Sequence, residues 1–336
     1  MSLEQLVSWC EDQSLPRYRA GQVWRWVFGR RAGGFGEMTD LPRSLRSRLE
    51  ETFTLFTTEV LALRRADDGT RKLLLKLADG ERTECVLLSD DRHHRTACIS
   101  TQVGCAMGCA FCASGLDGLA RNLSAGEIVE QLLQLARLLD PSERLSHVVV
   151  MGMGEPLANL DNVLRALETA TAPDGLGIGA RRVTISTVGL PGGIRRLAEQ
   201  EAPYHLAVSL HAPDDRLRAE LVPSGRGVPI ASILAAADDY FAKTGRRVTY
   251  EYVLLAGVND QPAHAEGLAR LLRGRPAMVN VIPLNRVPGL PFRTPSGADT
   301  ARFVELLRGR GLNAQVRYRK GEGIDAACGQ LRRSSR

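Results

Sequence analysis

Residues 96–115 read TACISTQVGCAMGCAFCASG, a short apolar run that empties into a loop and carries four of the chain's seven cysteines, Cys98, Cys105, Cys109 and Cys112. Five more apolar runs follow: HVVVMG, RVTIST, HLAVSL, VTYEYVLL and MVNVIPL. Most end in a Gly, Pro, Asn or Asp turn and then an amphipathic segment such as SAGEIVEQLLQLARLL. Short strands alternating with helices predict a parallel sheet. Six such units predict an α/β fold, a partial (β/α)6 barrel, in which reactive groups gather where the C-terminal strand ends meet the following loops.

Ahead of the barrel, residues 1–50 form three helix-like segments separated by Pro and Gly, and TRKLLLKLADGERTECVLL alternates around Asp79 and Gly80 as a hairpin does. The expected organisation is an accessory domain of helices and hairpin over 1–90, a barrel over 91–300 and an extension over 301–336. Trp24, Trp26 and Phe28 lie among arginines. Such residues either fill a core or stack on RNA bases.

The 336 residues are 44% hydrophobic, enough for a large core, and no apolar run reaches the roughly 18 to 20 residues that span a bilayer. No charged region followed by an apolar signal segment opens the sequence, so a cytoplasmic protein without a membrane partner is expected. Clustered cysteines there suit metal binding or catalysis better than a disulfide framework. The net charge is +6, and residues 301–336 hold nine Arg or Lys against three acids, so the whole excess surrounds Cys328. That is either a solvated basic tail or a phosphate-facing surface beside a reactive thiol.

Cys105, Cys109 and Cys112 form C-x-x-x-C-x-x-C. Three thiolates on a short loop can ligate three irons of a [4Fe–4S] cube and leave the fourth open to a substrate. A structural zinc ion, with Cys98 as fourth ligand, is the alternative. In MGMGEP the glycines Gly152 and Gly154 allow a ligand close to the backbone beside Glu155, or simply make a tight turn; no G-x-G-x-x-G is present. Glu84 on the second hairpin strand reads, by itself, as a solvent-facing strand residue, and Cys10 and Cys85 as small buried hydrophobes.

CISTQVGCAMGCAFCASG, with RNLSAGEI, VVVMGMGEPLANL, RRVTISTVG, AVSLHAPDD, PLNRVPG and GIDAACGQL, resembles the RlmN/Cfr family of radical S-adenosylmethionine (SAM) RNA adenine methyltransferases over residues 84–331. The likeness is greater to the RlmN branch, which methylates adenine C2, than to the C8-methylating Cfr branch. It implies a [4Fe–4S] cluster on Cys105, Cys109 and Cys112 whose open iron binds SAM. It also implies SAM contacts from Gly154, Glu155, Ser186, Ser209, Leu210, His211 and Asn285.

The resemblance further implies two SAM per turnover: one methylates Cys328, and the other gives the radical that activates the new S-methyl group for addition to the base. Glu84 would then remove the ring proton and Cys98 would free the product by forming a disulfide with Cys328. The implied substrates are 23S rRNA at the peptidyl-transferase adenosine and a tRNA anticodon-loop adenosine, and the implied partner is a reductase such as flavodoxin or ferredoxin. The protein is expected to act as a monomer. From other classes, a glycyl-radical activase would share the cluster but have no use for Cys328, and a zinc-stabilised RNA-binding module would need no strand-end pocket.

Overall fold

The computed structural model describes residues 2–200, 204–317, 319–321 and 323–332. Three helices, α1 (Leu3–Asp12), α2 (Tyr18–Trp24) and α3 (Arg43–Thr52), come first. They enclose a small core of their own, with Leu6, Cys10, Met38 and Leu49 buried at its centre and Leu133 of the barrel completing it. Trp24 and Phe28 belong to this core; Trp26 is half-buried, donates from Nε1 to Asp40 and carries the Arg30 guanidinium over its ring.

Three antiparallel strands follow, β1 (Glu59–Arg65), β2 (Arg71–Lys76) and β3 (Arg82–Ser89), the last two joined through the turn at Asp79 and Gly80. They do not stay with the helices. Strand β3 pairs with β4 (Arg95–Cys98), Val86 opposite Cys98, so the hairpin continues the barrel sheet. A two-stranded ribbon, β5 (Gln102–Gly104) with β6 (Leu119–Asn122), brackets the cysteine loop.

The barrel strands are β4, β7 (His147–Val150), β8 (Val183–Thr187), β9 (His205–Ser209), β10 (Val248–Leu254) and β11 (Ala277–Pro283), parallel and in that spatial order. A seventh parallel strand, β12 (Asn313–Val316), adds beyond β11 from the segment that the sequence pattern leaves as an extension. The sheet stays open, with β1 and β12 at its edges. Helices α4 (Ala125–Ala136), α5 (Leu160–Thr171), α6 (Pro191–Ala198), α7 (Asp215–Leu221), α8 (Ile230–Thr244), α9 (Pro262–Leu272) and α10 (Gly297–Gly309) lie on the connections between barrel strands.

Local sequence fixes several of these boundaries. In RNLSAGEI, Ser124 caps α4: its hydroxyl accepts from Glu127 N, and the Glu127 carboxylate accepts from Ser124 N, a reciprocal box that satisfies two orphan donors. Helix α8 stops at Gly245, whose φ of 65° is the left-handed cap that glycine tolerates. Inward Val148, Val150, Ile185, Leu206, Val208, Val279 and Val281 are all buried in one core, which makes the strands a rigid platform for what lies beyond their ends. Among the described residues no helix is long and apolar enough to cross a membrane.

Candidate active site

The cysteine loop is pinned at its stem before it reaches the cavity. Gln131 of α4, fully buried, accepts from Ser100 N at 2.8 Å and donates to Ser100 O at 3.0 Å. Asn159 donates to Thr101 O and Leu123 O, both at 2.8 Å, tying the two ends of the ribbon together. From this stem the loop carries Cys105, Cys109 and Cys112 to the wall of a cavity of about 150 Å³ at the C-terminal strand ends.

Burial raises all three thiols, Cys105 to about 11, and neighbouring cysteines add repulsion. Three such thiolates need a cationic partner to coexist. Among the described residues no three His, Cys, Asp or Glu side chains converge on one point as a single ion would require. Three thiolates on one loop are the donor set in which each takes its own iron of a [4Fe–4S] cluster, whereas a closed zinc site takes four ligands.

Around the same cavity stand Gly154 and Glu155 after β7, Ser186 on β8, Ser209 at the end of β9 and His211 beyond it, Asn285 after β11 and Cys328. Gly154 has φ of 103°, and a Cβ there would lie 2.6 Å from Gln102 Cβ, so only glycine fits. Gly152 is as crowded, 2.6 Å from Ser100 Oγ.

Glu155 is 2% exposed and braces the wall: its carboxylate accepts from Leu157 N at 3.0 Å and Val188 N at 2.8 Å, while burial raises it. His211 accepts from Val253 N at Nδ1, 3.1 Å, with its ring edge-on to Phe111; burial, then Arg218, hold it down at about 3, so it stays neutral. Leu210 is wholly buried in the barrel core and lies outside the cavity wall.

Cys328 is brought in by a segment laced to the cysteine loop. Gly329 O accepts from Ala113 N at 2.7 Å, Leu331 O from Ser114 Oγ at 2.7 Å, and Cys328 O from Asn285 Nδ2 at 3.0 Å. Asn285 Oδ1 is buried without a partner. Arg332, counted in the basic excess, grips Asp117 at 2.8 and 2.9 Å and so fastens the segment; Arg333 and Arg336 lie outside the described residues.

A second cavity, about 50 Å³, has Cys98 and Cys328 in one wall with Arg317 between the two spaces. Burial and the neighbouring Cys328 push the Cys98 thiol up to about 12, against a lowering pull from Arg317.

Glu84 is 1% exposed and lines neither cavity. Its carboxylate pairs with Lys72 Nζ at 2.9 Å and accepts from Arg332 N at 2.9 Å, which ties the hairpin to the C-terminal segment. Arg317, Glu251 and Met107 also stand in the main wall, and sequence reasoning missed them. Arg317 is the residue after a seventh strand that the six-unit pattern does not include, and Glu251 sits inside an otherwise apolar strand run, a signal that was available.

The sequence profile of the radical SAM superfamily matches residues 99–267, and that of the ribosomal RNA large subunit methyltransferase N-terminal domain matches residues 1–55. A probable dual-specificity RNA methyltransferase RlmN of Rhodopirellula baltica is 57% identical over 99% of this chain and 90% of its own. The chain belongs to the RlmN family of radical SAM RNA methyltransferases. Another probable RlmN, from Symbiobacterium thermophilum, is 49% identical with the same coverage of each chain. A radical SAM methyltransferase from Sphaerobacter thermophilus, known from its crystal structure, superposes with a TM-score of 0.96 at 46% identity, over 99% of this chain and 98% of that one. Membership of the RlmN family implies a [4Fe–4S] cluster and SAM, with RNA as substrate.

Proposed function

We propose that this RlmN-family chain methylates C2 of an adenosine in 23S rRNA at the peptidyl-transferase centre, and an adenosine in the tRNA anticodon loop, through a methylated Cys328. The observation that carries the reading is the pair of adjoining cavities: one gathers Cys105, Cys109, Cys112 and Cys328, the other joins Cys328 to Cys98. An activase would have no use for the second. The relatives' names, dual-specificity RNA methyltransferase, support two classes of RNA.

Cys105, Cys109 and Cys112 would hold the cluster, whose chemistry when bound is one-electron cleavage of SAM to a carbon radical. Gly154 and Glu155, with Ser186, Ser209, His211 and Asn285, are the candidate SAM contacts, with Leu210 set behind them in the core. Within that set the neutral His211 and the unpartnered Asn285 Oδ1 supply hydrogen-bonding groups, while Leu210 contributes by fixing the strand end.

Adenine C2 is electron-poor and has no lone pair with which to attack a methyl donor, so the protein supplies the nucleophile. Cys328 sulfur takes the methyl group by displacement, and the same carbon is later joined to the base. Glu84 is the candidate base for the ring proton; because Lys72 and Arg332 N occupy its carboxylate, displacement of the C-terminal segment by RNA has to uncover it. Cys98 sulfur then bonds to Cys328 sulfur. The sulfur–methylene bond breaks with its electron pair on carbon, which takes a proton to become methyl; the Cys98 thiolate and the Cys328 thioether sulfur are oxidised to the disulfide as the carbon is reduced. A reductase such as flavodoxin or ferredoxin supplies electrons, and the protein works as a cytoplasmic monomer.

Nucleoside mass spectrometry of rRNA and tRNA from a strain lacking the gene tests the assignment. Loss of 2-methyladenosine is expected from both. Loss of 8-methyladenosine instead would make it a Cfr-type activity, and no change in either, with no other enzyme supplying them, would refute it.

A further inference from the structure

Arg317 stands where three spaces meet. It lines the main cavity, the small cavity between Cys98 and Cys328, and a cavity of about 590 Å³ at the base of the barrel. Its backbone is fixed by a hydrogen bond to Val281 O at 2.9 Å, and Nη1 lies 3.3 Å from Met151 Sδ. Its carboxylate neighbour, Glu251, is 3.9 Å away at Oε1, too far for a tight pair, and Glu251 Oε2 is buried without a partner. The guanidinium is therefore only loosely neutralised, beside two thiols.

The other charged or titratable groups facing Cys98 do not replace it. Arg319 and Lys320 share the small cavity's wall, but Arg319 donates to Leu284 O and Thr294 Oγ1. Cys85, behind on β3, is fully buried and lines neither cavity. Of these three cations Arg317 is the one that also lines the main cavity, so it alone reaches both spaces that Cys328 joins.

We infer that Arg317 serves the two sulfurs in turn: alkylation turns Cys328 into a neutral thioether, hands the guanidinium to Cys98, and so allows the resolving thiolate to form only after the acceptor sulfur has been used. Arg317 is a positioning residue, acting through the thiols. An early Cys98 thiolate would be a second nucleophile, and burial together with the Cys328 sulfur disfavours it until Cys328 has been alkylated. The inference rests on the two-thiol reading above, and the direction of the Cys98 shift, raised by Cys328 and lowered by Arg317, agrees with it.

The test uses anaerobic holoenzyme and the small thiol reagent methyl methanethiosulfonate, with labelling at Cys98 followed by peptide mass spectrometry from about pH 8 to pH 13, each pH reached by a brief jump. Cys328→Met mimics the methylated sulfur without requiring methylation. Its Cys98 midpoint should fall by about one pH unit or more relative to the native protein. Adding Arg317→Gln should restore the native midpoint, and Arg317→Lys should keep most of the fall. The midpoint is read because altered access changes the rate without moving it.

Equal midpoints in native and Cys328→Met proteins, or a lowered midpoint that survives Arg317→Gln, overturn the proposal. If Arg317→Gln does not fold, Glu251→Gln takes its place: freeing Arg317 of its other anion should lower the midpoint of Cys328→Met further, and an unchanged midpoint overturns the idea. Absence of S-methyl from Cys328 in native enzyme given SAM would sink the two-thiol reading alone, since none of these midpoints depends on it.

Discussion

Replacing Lys72 by Met should destabilise the protein by about 3–5 kcal/mol, because it strands a buried carboxylate. The side chains of Lys72 and Glu84 are 5% and 2% exposed, with Nζ 2.9 Å from Oε1. At that distance and an effective dielectric of about 20 the gross attraction is about 6 kcal/mol, part of which offsets the cost of taking both charges from water. Against a total stability of about 5–15 kcal/mol the loss is large. Denaturant midpoints for Lys72→Met, Glu84→Gln and the double variant give the coupling directly, and a cycle value of at least about 2 kcal/mol is expected. Lys72 also donates to Asp325 O at 3.0 Å, so methylation of Cys328 should suffer more than SAM cleavage. A Lys72→Met protein within about 1 kcal/mol of the parent, or a purely additive cycle, would refute the reasoning.

Cys105→Ala, Cys109→Ala or Cys112→Ala should each abolish cluster binding, read as anaerobic iron and sulfide content; full iron in two of the three would reassign the ligands. Cys98→Ala should keep iron and methyl-Cys328 yet trap RNA on the protein, seen as a nuclease-sensitive slow band on a denaturing gel. Cys328→Ala should trap none, and normal turnover by Cys98→Ala would leave Cys98 a mere strand residue. His211, held neutral at about 3 in the fold against 6.5 for the free group, takes protons more readily when unfolded. Stability should therefore fall as pH drops below about 6.5, by up to about 1.4 kcal/mol per unit from this residue until about pH 3. His211→Gln should flatten that limb in thermal melts, and an unaltered acid profile would count against a neutral buried imidazole.

The barrel was legible because parallel strands buried on both faces write themselves as repeated apolar runs, and the hairpin because Asp79 and Gly80 mark its turn. The seventh strand was not, since Asn313–Val316 holds only four residues and alternates too briefly to stand out from the basic segment around it. The ribbon of Gln102–Gly104 and Leu119–Asn122 escaped for the same reason, its pairing being set by the tertiary fastening of the loop between. Cysteine spacing announced the main cavity's thiols. Where Glu84 sits could not be read from its strand: it points away from solvent because Lys72, twelve residues earlier, shares its side of the hairpin and a segment from the other end of the chain closes over both.

The fastening of the Cys328 segment also governs the order in which the molecule is assembled. Lys72 to Asp325 and Asp68 to Gly321 each join residues 253 positions apart, and Glu84 to Arg332 joins residues 248 apart. Closing loops of that length is entropically costly, and contacts of high sequence separation are slow to form. The parallel strands and the cysteine ribbon can consequently be in place while the terminal segment is still undocked, leaving a period in which iron and sulfide can reach the loop from the side that Gly329 and Leu331 later cover. Pulsed proteolysis during refolding would register that period as a terminal segment cut long after the barrel has become resistant.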